Sequence, residues 1–206
     1  MPNWCSNMLQ VSGEKKALEN FLKKYGKFTF SLVKPIPSDF AGVHSGFNKI
    51  DGKDYTHWRY IALDNGEEKA VGISAEELSA WNEKWGASGW YDWCNANWGT
   101  KWDIQPSPFE EEGAGIYQIS FDTAWAPPTP IVFALAQEFP SLNFEHYYSE
   151  PGCAFAGLDT YADGEMSDQN YIEDNFEEMR GISGWHDAQF SYLDDEEEFE
   201  EESSEA

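Results

Sequence analysis

Asn97-Trp98-Gly99-Thr100-Lys101-Trp102-Asp103 sets a lysine and an aspartate beside two tryptophans, with an amide at the head of the run. Polar and charged groups walled by indole rings are the make-up of a small ligand or peptide pocket. The aromatic region from Trp81 to Trp102 could supply its walls, with Asn97, Trp98, Lys101, Trp102 and Asp103 as the pocket residues. The same run has a structural reading, in which the tryptophans fill the core, Gly99 allows a tight turn and Lys101 pairs locally. Asn3 and Asn7 flank Trp4 in a similar way, and amides near a strand start commonly tie down neighbouring backbone.

Other chemistries find less support. His44, His57, His146 and His186 are widely separated, and none stands at metal-ligand spacing from another histidine or from a cysteine. Cys5, Cys94 and Cys153 form no Cys-x-x-Cys pair and are expected as reduced, partly buried thiols. No Gly-x-Ser-x-Gly elbow, Walker-type loop or dinucleotide fingerprint occurs. Carboxylates are so abundant that a pair of them says nothing about acid–base catalysis. The chain therefore reads as a non-enzyme with no cofactor and no metal.

Charge is more informative. Residues 1–101 hold 12 of the 13 Lys and Arg and 12 of the 38 Asp and Glu, so that half is formally neutral. Residues 102–206 keep only Arg180 against 26 acids, which places the whole net charge of −25 there. A chain so acidic would repel a phosphate backbone, which excludes direct nucleic-acid binding as the expectation. It could instead stand in for nucleic acid: 25 charges equal those of roughly 12 base pairs, about 40 Å of duplex. The candidate partner-binding residues are Glu110, Glu111 and Glu112, then Glu173, Asp174, Glu177 and Glu178, then Asp194, Asp195, Glu196, Glu197 and Glu198. The alternative is that the acids serve only solubility. No apolar run approaches the roughly 18 residues of a membrane span and no signal-like start is present, so a cytoplasmic location without membrane contact is expected.

The elements that must position these residues follow from periodicity. Trp4 to Val11 alternates as a first strand, Ser12 is placed to cap a helix running to Gly26, and Phe28 to Val33 reads as a second strand. Residues 34–73 show weak periodicity and read as irregular insertion. Ser74-Ala75-Glu76-Glu77 is a capping box before an apolar helical face of Leu78, Trp81 and Trp85. The Asn97 to Asp103 run then leads into a strand. Tyr117, Ile119, Phe121 and Thr123 alternate as a half-buried strand, and Thr129-Pro130 starts a helix that Pro140 ends. Leu142 to Tyr147 and Ala154 to Tyr161 continue the sheet, and Asp163-Gly164 is a hairpin signal. Residues 168–180 fit a helix as well as a strand.

Met1-Pro2-Asn3-Trp4-Cys5-Ser6-Asn7, Asn97 to Asp103, Phe121-Asp122-Thr123-Ala124-Trp125-Ala126-Pro127-Pro128 and Tyr148-Ser149-Glu150-Pro151-Gly152 together resemble the YubB-like ferredoxin-like family. The resemblance covers roughly residues 1–165 and implies a ferredoxin-like domain of the kind typically encoded by plasmids and bacteriophages. It implies no activity, cofactor or catalytic residue, and the acidic end after about residue 190 looks like an addition to the pattern.

The expected fold is α+β: a ferredoxin-like split βαβ sandwich on an antiparallel sheet, with an aromatic-rich helical insertion at about 34–97. Residues 166–193 are expected as an acidic extension packed on the 1–165 domain, and 194–206 as a disordered acidic tail. The expected function is that of a phage or plasmid protein that binds and inhibits a host nucleic-acid-binding or defence protein through an acidic, DNA-mimicking surface. The alternative is a ligand- or peptide-binding module built on the Trp81 to Trp102 pocket.

Overall fold

A computed structural model describes residues 2–113, 115–175, 178 and 182. In chain order the elements are β1 (Trp4–Gly13), α1 (Lys15–Tyr25), α2 (Phe30–Val33), β2 (Val43–Ile50), β3 (Lys53–Ala62), β4 (Glu68–Gly72), α3 (Ala75–Trp85) and α4 (Trp90–Trp98). They continue with β5 (Glu110–Gly113), β6 (Ile116–Ala124), α5 (Thr129–Glu138), β7 (Leu142–Glu150), β8 (Phe155–Ala162) and β9 (Glu165–Glu173).

The main sheet has the order β5-β6-β1-β7-β8-β9 and every pairing in it is antiparallel. Its first four strands with α1 and α5 are the two interlocked split βαβ units of a ferredoxin-like fold: β1-α1-β5 straddles β6, and β6-α5-β7 straddles β1. Strands β8 and β9 widen the sheet by two hairpins. Leu9, Val11, Ile119 and Phe144 point to the face covered by Leu18 and Phe21 of α1 and by Ile131 and Leu135 of α5. Phe21 lies at the centre, its ring edge-on to Phe109, Phe139 and Phe144. Burying a side chain of that size removes enough apolar surface from water to contribute about 2–3 kcal/mol.

Four expectations are corrected. Phe28 to Val33 is not a strand: Phe28 makes one isolated bridge to Ser107, and Phe30–Val33 is a single helical turn. The cause is Asp103, whose carboxylate accepts from the main-chain N–H of Phe30 (2.7 Å) and Ser31 (3.1 Å) and so caps that turn from across the fold. The second ferredoxin strand is Glu110–Gly113 instead. Ser12 stays within β1, and the residue before α1 is Glu14, which makes no side-chain cap. Residues 34–73 are not irregular, because β2, β3 and β4 form a second antiparallel sheet. Asn97 and Trp98 end a helix rather than open a strand, since Gly99 takes φ +84° and closes α4.

Other expectations hold. Ser74 Oγ accepts from the Glu77 N–H, although the Glu77 carboxylate accepts from Arg59 of β3 rather than closing the box. The Asp163-Gly164 hairpin leads into β9, so residues 168–173 are strand. Cys5 and Cys94 are buried, whereas Cys153 is exposed. The tail after residue 193 lies outside the described residues. Among the described residues, no helix is long and apolar enough to cross a membrane.

Candidate functional site

The helices cover one face of the main sheet, and the register decides what the other face presents. Glu110 of β5 lies opposite Gln118 of β6, Gln118 opposite Gln10 of β1, Gln10 opposite Glu145 of β7, Glu145 opposite Thr160 of β8, and Thr160 opposite Asp168 of β9. These six residues form one polar row across the whole sheet, on the side away from α1 and α5. Gln10 donates to Gln118 (2.8 Å) within it, and Tyr147 donates to Glu145 beside it (2.9 Å). At about 4.8 Å per strand the row spans about 24 Å. Four residues along β6, Asp122 shares this face and accepts from Ser6 Oγ at 2.8 Å.

No lysine or arginine occurs in any of the six strands. Among the described residues the cations lie outside the sheet: Lys15, Lys16, Lys23 and Lys24 in α1, Lys49, Lys53, Arg59 and Lys69 in the second sheet, Lys84 in α3, and Lys27, Lys34 and Lys101 in connecting segments. The charge split of the sequence is thus a split in space, because the sheet is built mainly from the acidic half and the inserted sheet from the neutral half.

At one end of this face the four sequence blocks that carry the family resemblance converge. Asn3 O accepts from Trp125 N–H (3.0 Å), and Asn3 Nδ2 donates to Glu150 (3.4 Å), whose other oxygen accepts from Gly152 N–H (2.9 Å). Thr100 Oγ1 donates to Ala124 O (3.0 Å) and accepts from Ala124 N–H (3.1 Å), which ties the Asn97 to Asp103 run to the end of β6. Three of the ten tryptophans stay half exposed here: Trp4 at 51%, Trp102 at 43% and Trp125 at 47%. Trp125 has φ +73°, a left-handed conformation that costs a bulky residue energy and tends to occur where function requires it. Trp4 and Trp102 meet at 6.2 Å between ring centroids and wall a cleft of about 620 Å³ that also takes in Ser6, Asp103, Ser120 and Asp122.

The expected pocket residues separate. Trp98 is 1% exposed, packs edge-on against Phe30 and Trp93, and donates its indole N–H to Lys34 O (2.8 Å), so it is core. Asn97 bonds back to Trp93 O (2.9 Å) within α4. Asp103 lines the cleft, but both its oxygens are engaged, by Phe30 and Ser31 and by its neighbour Ile104 N–H (2.9 Å). Lys101 lies over the Trp102 ring at 4.0 Å. Only Trp102 and Asp103 of the five belong to the cleft wall. Trp4, Ser6, Ser120 and Asp122 also line it and were missed as pocket residues; the alternation in β1 and β6 marked their face, but nothing local pairs β1 with β6.

The expected acidic residues separate too. Glu110, Glu111 and Glu112 lie on one edge strand, while Glu173 ends the opposite edge strand with Asp174 just beyond. They frame the face rather than cluster. Glu178 is exposed and its N–H donates to Asn175 (3.2 Å). Glu177, Asp194, Asp195, Glu196, Glu197 and Glu198 lie outside the described residues. Ile182 packs against Ala156, as do Ala154 and Ile172, and Ala156 and Ile172 share this face, so Ile182 lies on it at the β8–β9 side.

Beneath the helices, two polar groups are built into the sheet. His146 Nε2 meets Asn7 Oδ1 at 3.0 Å, Asn7 Nδ2 donates to Thr123 Oγ1 (2.9 Å), and Asp159 Oδ1 accepts from Tyr148 (3.2 Å) and Gln169 (3.0 Å). Burial lowers the His146 pKa to about 3 and raises that of Asp159 above the usual carboxylate range. Burial also pushes up the Cys5 and Cys94 thiols, and at Cys153 a hydrogen bond with Glu150 does so, which disfavours a reactive thiolate at any of the three. Among the described residues no cluster of three or more histidines, cysteines and acids could hold a metal ion.

Comparison with known proteins bears on the family. The family model described as the ferredoxin-like domain in Api92-like protein matches residues 80–205. The chain belongs to this family. Because the Api92-like match runs to residue 205, the acidic end lies within the family's span rather than being an addition to it. YubB of Escherichia coli (strain K12) is 34% identical over 82 residues, which are 38% of this chain. The chain spans about half of YubB, 54% of its length. The crystal structure of the Api92 protein from Yersinia pseudotuberculosis superposes with a TM-score of 0.49 at 13% identity, over 85% of this chain and 99% of that one.

Proposed function

We propose that this is a non-catalytic protein of a phage or plasmid that acts in the host cytoplasm. In this reading it binds a host nucleic-acid-binding or defence protein and inhibits it by occupying its basic groove in place of nucleic acid. The observation that carries the reading is the sheet face turned away from α1 and α5, on which Glu110, Asp122, Glu145 and Asp168 are spread without one lysine or arginine in the sheet. Ordinary surfaces mix both signs.

Charge density refines it. Over about 24 Å a duplex carries about 14 phosphates and a single strand about 7. Four carboxylates on the face fall well short of the duplex and within a factor of about two of the single strand. Mimicry of a duplex therefore requires the acids from Glu173 onward as well.

The test is capture of partners from host lysate on the full chain, on a version ending at Leu193, and on a full-length variant carrying Glu110→Gln, Asp122→Asn, Glu145→Gln and Asp168→Asn. A nucleic-acid-binding protein retained at low salt, released by salt, displaced by DNA and lost on the quadruple variant is the expected result. Undiminished capture by that variant would remove the sheet face from the mechanism. A second reading, a ligand- or peptide-binding module, is favoured by the cleft between Trp4 and Trp102 rather than by the wider Trp81 to Trp102 region.

A further inference from the structure

We propose that the cleft between Trp4 and Trp102 is an arginine-recognition site that receives a guanidinium from the basic partner, with Asp122 as its carboxylate. The proposal rests on the reading that the acidic sheet face meets a basic protein, and it names the residue type that the face selects.

The cleft volume, about 620 Å³, is in the range of ligand sites, and its walls combine two half-exposed indoles with the hydroxyls of Ser6 and Ser120 and the carboxylate of Asp122. Asp103 is not available to a ligand, since main-chain donors occupy both its oxygens. Asp122 is exposed and accepts one hydrogen bond, from Ser6 to Oδ1; among the described residues Oδ2 has no donor. An incoming cation thus finds one open carboxylate oxygen beside aromatic faces.

Geometry limits how it sits. Sandwiching a planar group between two rings needs about 7 Å between them, two contacts of about 3.5 Å each. The Trp4 and Trp102 centroids are 6.2 Å apart with planes tilted by 41°, so the group lies across the exposed indole surfaces at the mouth instead. Lys101 already takes one approach to the Trp102 ring, which leaves Trp4 as the main stacking surface. A guanidinium suits this arrangement better than an ammonium, because its flat face stacks while its N–H fork addresses the carboxylate. A nucleobase would stack as well, but its phosphates would be repelled by the acidic face.

The test follows the indole N–H signals of the full chain by NMR, assigned by single Trp→Phe variants, during titration with the blocked peptides Gly-Gly-Arg-Gly-Gly and Gly-Gly-Lys-Gly-Gly. The arginine peptide should move the Trp4 and Trp102 signals. Those of Trp98, whose N–H is held by Lys34 O, and of Trp85, held by Asp39 (2.7 Å), should stay. The lysine peptide should bind about threefold or more weakly, and Asp122→Asn, an exposed substitution, should weaken the arginine peptide about fivefold. Equal response to both peptides together with an unaffected Asp122→Asn variant would overturn the proposal, as would no shift at millimolar arginine peptide. Hexalysine, followed through the backbone amides of Gln10, Gln118 and Glu145, separates the two readings. If it binds while the arginine peptide leaves Trp4 and Trp102 unmoved, the arginine site falls and the acidic face stands; if it fails to bind at low salt, the acidic face falls.

Discussion

Asp103→Ala tests whether this aspartate is a structural brace or a ligand group. Its carboxylate accepts from the N–H groups of Phe30, Ser31 and Ile104 and from the Ser31 hydroxyl, and the Phe30 and Ile104 bonds are partly shielded from water. Phe30 itself is fully buried against Trp98 and Phe121. Losing the two shielded charge-assisted bonds costs about 1–1.5 kcal/mol each, and the exposed Ser31 donors, which water can satisfy, add about 0.5 kcal/mol. The expected total is about 3 kcal/mol, read as a drop of about 6–12 °C in Tm for a chain of this size. Asp103→Asn keeps one acceptor oxygen and should lose about half as much. Thermal and urea unfolding followed by circular dichroism would measure both, with arginine-peptide affinity determined on the folded Asn variant. A loss under about 0.5 kcal/mol for Asp103→Ala, or an Asp103→Asn variant of unchanged stability that no longer binds the peptide, would refute the reasoning.

The tryptophans should divide by burial: Trp98→Ala should cost about 3–5 kcal/mol, and Trp102→Ala under about 1 kcal/mol, by urea unfolding. Gly157→Ala should destabilise by about 1–3 kcal/mol, because a Cβ there would sit 2.3 Å from the Tyr148 ring that lies over it; unchanged stability would mean the ring can move aside. His146 is neutral when folded and gains its proton only on unfolding below its ordinary pKa near 6.5, so its contribution to stability is lost as pH falls from there toward 3. Its cross-strand neighbour Asp159, raised in the fold by burial, works in the opposite sense, its contribution growing as pH falls. The stability of the wild type minus that of His146→Gln should therefore fall with pH by up to about 1.4 kcal/mol per unit below 6.5, and parallel curves would contradict the burial of that ring. Removing residues 194–206 should lessen the salt sensitivity of partner binding measured by calorimetry, with unchanged sensitivity assigning the steering to the sheet alone.

Several elements were legible because their signals are local. Thr129-Pro130 starts α5, the Ser74 hydroxyl caps α3, the alternation of residues 117–123 makes β6, and Asp163-Gly164 turns β8 into β9. Trp90 to Gly99, the α4 region, was harder because its end reads equally as the approach to a strand, and so were the residues of β2 to β4, because polar, half-exposed strands lack the apolar alternation that betrays a sheet.

By itself the sequence determined the ferredoxin-like class, the main helices, and the concentration of all net charge in the second half, since each depends on periodicity, caps or composition along the chain. Only the tertiary structure decided that Phe30–Val33 is a turn, because the carboxylate that caps it comes from Asp103, 72 or more residues away. Only strand register decided which acids share a face: a shift of one residue would send Glu145 or Asp168 to the helix side. The cleft likewise exists because β1 pairs with β6 and the Thr100 hydroxyl holds the loop of Trp102 against the end of β6. These are long-range choices among alternatives that short segments leave equal in energy.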